Sequence, residues 1–134
     1  MNSNFTPYTR AFFVWIVIIL AESIHGTLRQ LFLAPLTGDL QARRIAVISG
    51  SILIFAVSWI FIRWISAPSV RALFLIGLIW AVLTVLFEFV LGFYIFGFPF
   101  SRLIEDYDLS RGGLMGFGLL FMIFVPMITA RLRR

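Results

Sequence analysis

The chain has 134 residues, 61% of them hydrophobic and 13% charged, and carries a formal net charge of +5. Its mean hydropathy is +1.03. Soluble domains are nearer half apolar, so there is too little polar surface to wrap a water-soluble core, and the absence of Cys excludes disulfides, thiolate metal sites and redox pairs.

The expectation is an all-α membrane protein: a single four-helix transmembrane domain over residues 1–134. Four apolar segments cover residues 11–36, 45–65, 70–98 and 114–130. Each approaches or exceeds the roughly 20 residues a helix needs to cross a bilayer. The runs are continuous, without the in–out alternation of a barrel wall. Short links between them predict an up-down-up-down bundle.

The first segment contains Glu22, His25 and Arg29. Arg29 lies about 20° round the helix from Glu22 and roughly 10 Å further along, so the three share one stripe. Such groups are expensive in hydrocarbon, and the stripe must face protein or water. Arg10, the apolar run 11–21 and the triplet Ala21-Glu22-Ser23 loosely fit a cleaved signal peptide. A retained first helix is the preferred reading.

Thr37-Gly38-Asp39 leads towards the second segment, which carries the small-residue patch Ser49-Gly50-Ser51. Such patches let helices pack closely. Residues 66–69 join the second and third segments, with Pro68 placed for a helix start. In the third segment Thr84, Glu88 and Gly92 share a face, so the Thr84 hydroxyl is expected to bond the Glu88 carboxyl.

The longest connection, residues 98–113, holds Glu105, Asp106 and Asp108. With Asp39 these form an acidic patch outside the membrane. It is expected to be solvated and paired with Arg43, Arg44, Arg102 or Arg111. Pro126 is expected to kink the fourth helix.

Two larger patterns follow. Sliding the chain so that Glu22 falls on Glu88 also brings Gly26 onto Gly92 and Asp39 onto Glu105. That suggests a tandem two-helix duplication, with the halves related by an axis along the membrane normal. The basic residues are all Arg and flank the apolar segments instead of forming one basic face, which points away from nucleic acid. Arg10, Arg63, Arg71, Arg131, Arg133 and Arg134 fall on one side without an acid, whereas the other side balances Arg against Asp and Glu. The Arg-rich side should be cytoplasmic, so that both termini of a protein of the bacterial inner membrane face the cytoplasm. Tyr8, Trp59, Trp64, Tyr94 and Tyr107 suit membrane interfaces; Trp15 and Trp80 suit them less well.

Two ionised Glu and one Arg leave the intramembrane cluster one charge short of neutral, so a low-dielectric site favours one added proton. Glu22, His25, Arg29 and Glu88, with Thr84, are therefore the candidate site for holding or moving a proton or small cation. The alternative is a structural cluster in a non-catalytic accessory or assembly subunit of a larger membrane complex. The expected surroundings are the lipid bilayer and either further copies of the chain or other subunits. No phosphate loop, dinucleotide fingerprint, nucleophile elbow or HExxH motif is present, so no enzyme activity, cofactor or metal site is expected.

Overall fold

A computed structural model describes residues 6–105, 108 and 114–133, apart from the side chains of 102 and 103. Among them, four helices are long and apolar enough to cross a membrane. They are α1 (Pro7–Thr37), α2 (Asp39–Ile65), α3 (Val70–Ile95) and α5 (Met115–Arg133). A short helix, α4 (Phe100–Glu105), lies between α3 and α5.

Local chemistry sets the ends, and they depart from the sequence-based bounds. Helix α1 starts at Pro7 because the Thr6 hydroxyl accepts the Thr9 N–H at 3.2 Å, and Pro7 needs no N–H partner in the first turn. The expected link before α2 shrinks to Gly38, whose φ of +90° suits glycine and turns the chain directly into Asp39. Ser66 ends α2 in the left-handed region, and its hydroxyl donates to the Arg63 carbonyl at 2.7 Å. Ser69, one residue after Pro68, is the N-cap of α3 and accepts the Ala72 N–H at 3.1 Å. Helix α3 stops at Ile95, just before Gly97 at φ +66° and Pro99. Helix α5 continues through Pro126.

Helix α5 packs along both α2 and α3, and α1 packs along α2; α1 and α3 touch sparingly. The buried residues are unevenly distributed. Most cluster in the first half of α1 and α3 (Ala11, Val14, Ile18; Ile76, Trp80, Ala81), the second half of α2 (Ile54, Val57, Ile62) and the middle of α5 (Met122, Val125), while small Ala42 and Ala46 are buried in the first half of α2. Trp80 is fully buried and its indole N–H donates to the Ala11 carbonyl at 2.8 Å. Gly77 permits the tightest contact, between α3 and α5: a Cβ there would stand 1.9 Å from the Ile123 carbonyl oxygen. Buried Ser58 and Thr129 hydroxyls bond each other at 2.8 Å between α2 and α5.

Arginines tie off the same end. Arg10, only 6% exposed, donates to the Trp64 carbonyl at 2.9 Å and lies over the Trp64 ring. Arg133 donates to the Trp59 carbonyl at 2.7 Å, and Arg63 donates to the Arg133 carbonyl at 3.0 Å. Carbonyls in the last turn of a helix have no intrahelical donor and carry its negative dipole end, so a guanidinium is well matched to Trp64. Elsewhere most of the outer surface is apolar, with Leu20, Ile24, Ile48, Ile52 and Ile60 all more than half exposed. That is the reverse of a water-soluble helix pattern and is compatible with an integral membrane protein.

Candidate functional site

At the opposite end the four long helices diverge around a cavity of about 850 Å³. Ile18, Ile54, Thr84 and Met122 form its inner part, next to the packed core. Glu22, His25, Arg29 and Glu88 line the same cavity, with Arg43 and Arg44. The five side chains singled out from sequence thus share one space, contributed by α1 and α3.

Glu22 and Glu88 lie within electrostatic reach of each other, and Arg29 within reach of His25. Glu22 Oε1 is 3.5 Å from His25 Nδ1. The other His25 nitrogen, Nε2, is 2.7 Å from the Ser49 hydroxyl. The imidazole therefore bridges a carboxylate on α1 and a hydroxyl on α2. A proton on either ring nitrogen has an oxygen to face, which is the property a proton relay needs. Glu22 Oε2 is buried and has no hydrogen-bond partner among the described residues. The carboxyl fits there because position 50 is Gly: a Cβ would lie 3.0 Å from Oε1.

Thr84 holds the inner end of the cavity. Its oxygen accepts the Trp15 indole N–H at 3.0 Å, and its hydroxyl donates to Met122 Sδ at 3.4 Å. The Trp15 ring meets Phe87 edge-on, with centroids 6.3 Å apart. These bonds account for Trp15 and Trp80, the two indoles that suited an interface poorly: each N–H is satisfied inside the bundle.

The wide end is strapped by ion pairs. Arg43 Nη2 is 2.6 Å from Glu105 Oε1 and 3.1 Å from Asp39 Oδ2. This joins α4 to the start of α2. The Asp108 N–H donates to the Glu105 carbonyl at 3.2 Å; Asp106 and Tyr107 lie outside the described residues. Arg44 donates to the Gln41 side chain at 3.1 Å. Among the described residues, no group of three His, Asp or Glu gathers as metal ligands would.

Sequence spacing did not reveal two features. Both α1 and α3 carry a π-helical turn alongside the cavity, at Arg29–Leu33 and Leu91–Ile95. Such turns interrupt regular hydrogen bonding and recur at functional sites. Ser49 read only as a small residue, and nothing on its own helix marked it as the partner of His25.

Comparison with known proteins finds no match: no family model fits the chain, and no curated protein or solved structure resembles it.

Proposed function

We propose that the chain is a multi-pass inner-membrane protein that moves or senses a proton or small cation at Glu22, His25, Arg29 and Glu88. The observation that carries this reading is the shared cavity: both membrane-depth carboxylates and the histidine border one open space instead of being packed into apolar contacts. The apolar core beyond Thr84 and Met122 separates the cavity from the Arg10 end, as a one-sided access path requires.

The topology that goes with this reading alternates up and down, with both termini cytoplasmic. Its support is the pairing of Arg10 with Trp64 and of Arg63 with Arg133, which gathers three Arg of the basic side at one end. The cavity then opens away from the cytoplasm. The decisive experiment is proton flux into liposomes containing the purified protein, followed with a trapped pH dye. Glu22→Gln with Glu88→Gln should lower the flux at least tenfold. Unchanged flux would exclude the role.

A second reading, an accessory subunit or homo-oligomer, is favoured by one feature. An apolar groove of about 550 Å³ runs between α2 and α5 on the outer surface, past Ser51, Ile52, Phe117 and Gly118. It could seat a helix of another copy or subunit. The mass of the protein in nanodiscs, against that of one chain, tests the homo-oligomer.

A further inference from the structure

The cavity is far larger than a proton or small cation requires. About 850 Å³ is in the range of pockets that hold drug-sized molecules. Phe87, Phe89, Phe96 and Phe98 line it together with the carboxylates. Aromatic faces suit both an apolar chain and a cationic head.

The gap between α1 and α3 gives the space a side facing the membrane. These two helices touch sparingly, and Trp15 with Thr84 and Phe87 closes the inner end of the gap. Gly26 lines the cavity, and a Cβ there would meet nothing within 4 Å. Ser23, Thr27 and Gln30 also line the cavity and are exposed. Spaced four and three residues apart, they form one polar stripe along α1, where the rest of the outer face is apolar. A polar rim at hydrocarbon depth suits a headgroup sliding in from the side, its chains remaining in lipid.

Charge selects the head. Three Arg line the cavity towards its wide end: Arg43 binds the Asp39 and Glu105 carboxylates, Arg44 donates to the Gln41 side chain, and Arg29 stands two turns beyond Glu22 on α1, where a guanidinium suits the phosphate of a headgroup. Deeper in, Glu22 Oε2 lacks a hydrogen-bond donor among the described residues, and Glu88 borders the same space. A buried acceptor of this kind calls for an N–H-bearing cation. We infer that the cavity admits, through the α1–α3 gap, a membrane amphiphile with an ammonium headgroup that seats against Glu22 and Glu88. This rests on the proton reading in one respect: the ammonium and the proton would compete for the same carboxylates.

The test is native mass spectrometry of the full-length, delipidated protein, offered phosphatidylethanolamine, phosphatidylcholine, phosphatidylglycerol and sphingosine in turn. Phosphatidylethanolamine should be retained at one molecule per chain, at least tenfold above phosphatidylcholine, which has no N–H, and above phosphatidylglycerol, which has no cation. Retention of sphingosine as well would mean that the ammonium alone is read. Its exclusion would mean that the phosphate is read too. Both outcomes keep the inference. Glu22→Gln with Glu88→Gln should erase the preference, and Gly26→Leu should weaken retention without lowering the melting temperature. Equal retention of all four lipids, or an undiminished preference in the double Gln variant, overturns the inference. Proton flux that depends on the two Glu, alongside indiscriminate lipid retention, would sink this proposal and leave the proton reading standing. Selective retention without flux would do the opposite.

Discussion

The Glu22 carboxyl rests against the Cα of Gly50, so closely that a Cβ at position 50 would stand 3.0 Å from Oε1 and 3.3 Å from Oε2. The neighbour that must yield is the end of a flexible side chain, not backbone. Gly50→Ala is therefore expected to fold, and removing a mid-helix glycine should add about 0.5–1 kcal/mol of helix stability, partly offset by the crowding. The carboxyl, however, must give way by a few tenths of an ångström, which alters its spacing to His25. Proton flux should fall severalfold while unfolding in detergent shifts little. Flux equal to wild type would show that the position of Glu22 is not what matters.

Gly77 behaves differently. A Cβ there would lie 1.9 Å from the Ile123 carbonyl oxygen and 2.6 Å from its carbon. Both atoms belong to backbone, so the helices themselves must separate. Gly77→Ala should cost about 3 kcal/mol, at the upper end of overpacking effects. SDS titration followed by circular dichroism would measure it, and a wild-type midpoint would show that α3 and α5 part easily.

The contrast shows what was readable in the chain beforehand. Four helices and the stripe of Glu22, His25 and Arg29 were legible because apolar length and helical period are properties of one segment. That Glu88 lines the same cavity required guessing how helices face each other, and the charge balance pointed that way. Gly77 was not singled out: it lies among Ile76, Leu78 and Ile79, and only the opposing Ile123 gives it meaning. Trp15 and Trp80 are similar cases, since their partners Thr84 and Ala11 are far away in sequence. The π-helical turns have no period of their own to read.

The buried Ser58–Thr129 pair offers a measurement of interhelical polar glue. The hydroxyls are 2.8 Å apart, and Thr129 also donates to the Val125 carbonyl at 2.9 Å within its own helix. Because Thr129 keeps a local partner, losing Ser58 leaves no stranded donor. A double-mutant cycle with Ser58→Ala and Thr129→Val should give a coupling near 0.6 kcal/mol, roughly the average for such bonds in membranes. A coupling above about 2 kcal/mol would mean that each hydroxyl depends on the other more than this geometry implies.

Arg10 should matter more, because its donor is charged and the Ser66 hydroxyl is the longer, 3.4 Å, alternative for the same carbonyl. Its guanidinium donates to the Trp64 carbonyl at 2.9 Å and covers the Trp64 ring. Arg10→Ala leaves a last-turn carbonyl without that donor and is expected to cost about 2 kcal/mol, typical for a bond to a charged group. Arg10→Lys should restore only part of this, since an ammonium lacks the planar fork that donates and stacks together. Unfolding midpoints ordered wild type, Lys, Ala would support the assignment; equal midpoints for Lys and wild type would assign the effect to charge alone.

Water in the cavity can be tested directly, because the natural chain has no Cys to confuse labelling. Gly26→Cys adds its side chain where a Cβ meets nothing within 4 Å, so it should not disturb packing. Ser58→Cys places the thiol in a fully buried position as a control. A membrane-impermeant maleimide added to intact cells should label the Gly26→Cys variant and spare the Ser58→Cys variant. The thiolate is the reacting species and forms poorly in hydrocarbon, so fast labelling requires water at that depth. Labelling only from the cytoplasmic face would keep the wet cavity and reverse the orientation. Protection from both faces would mean that Glu22, one turn away on the same helix, has no aqueous path, and the carboxylates could then act only as structural partners.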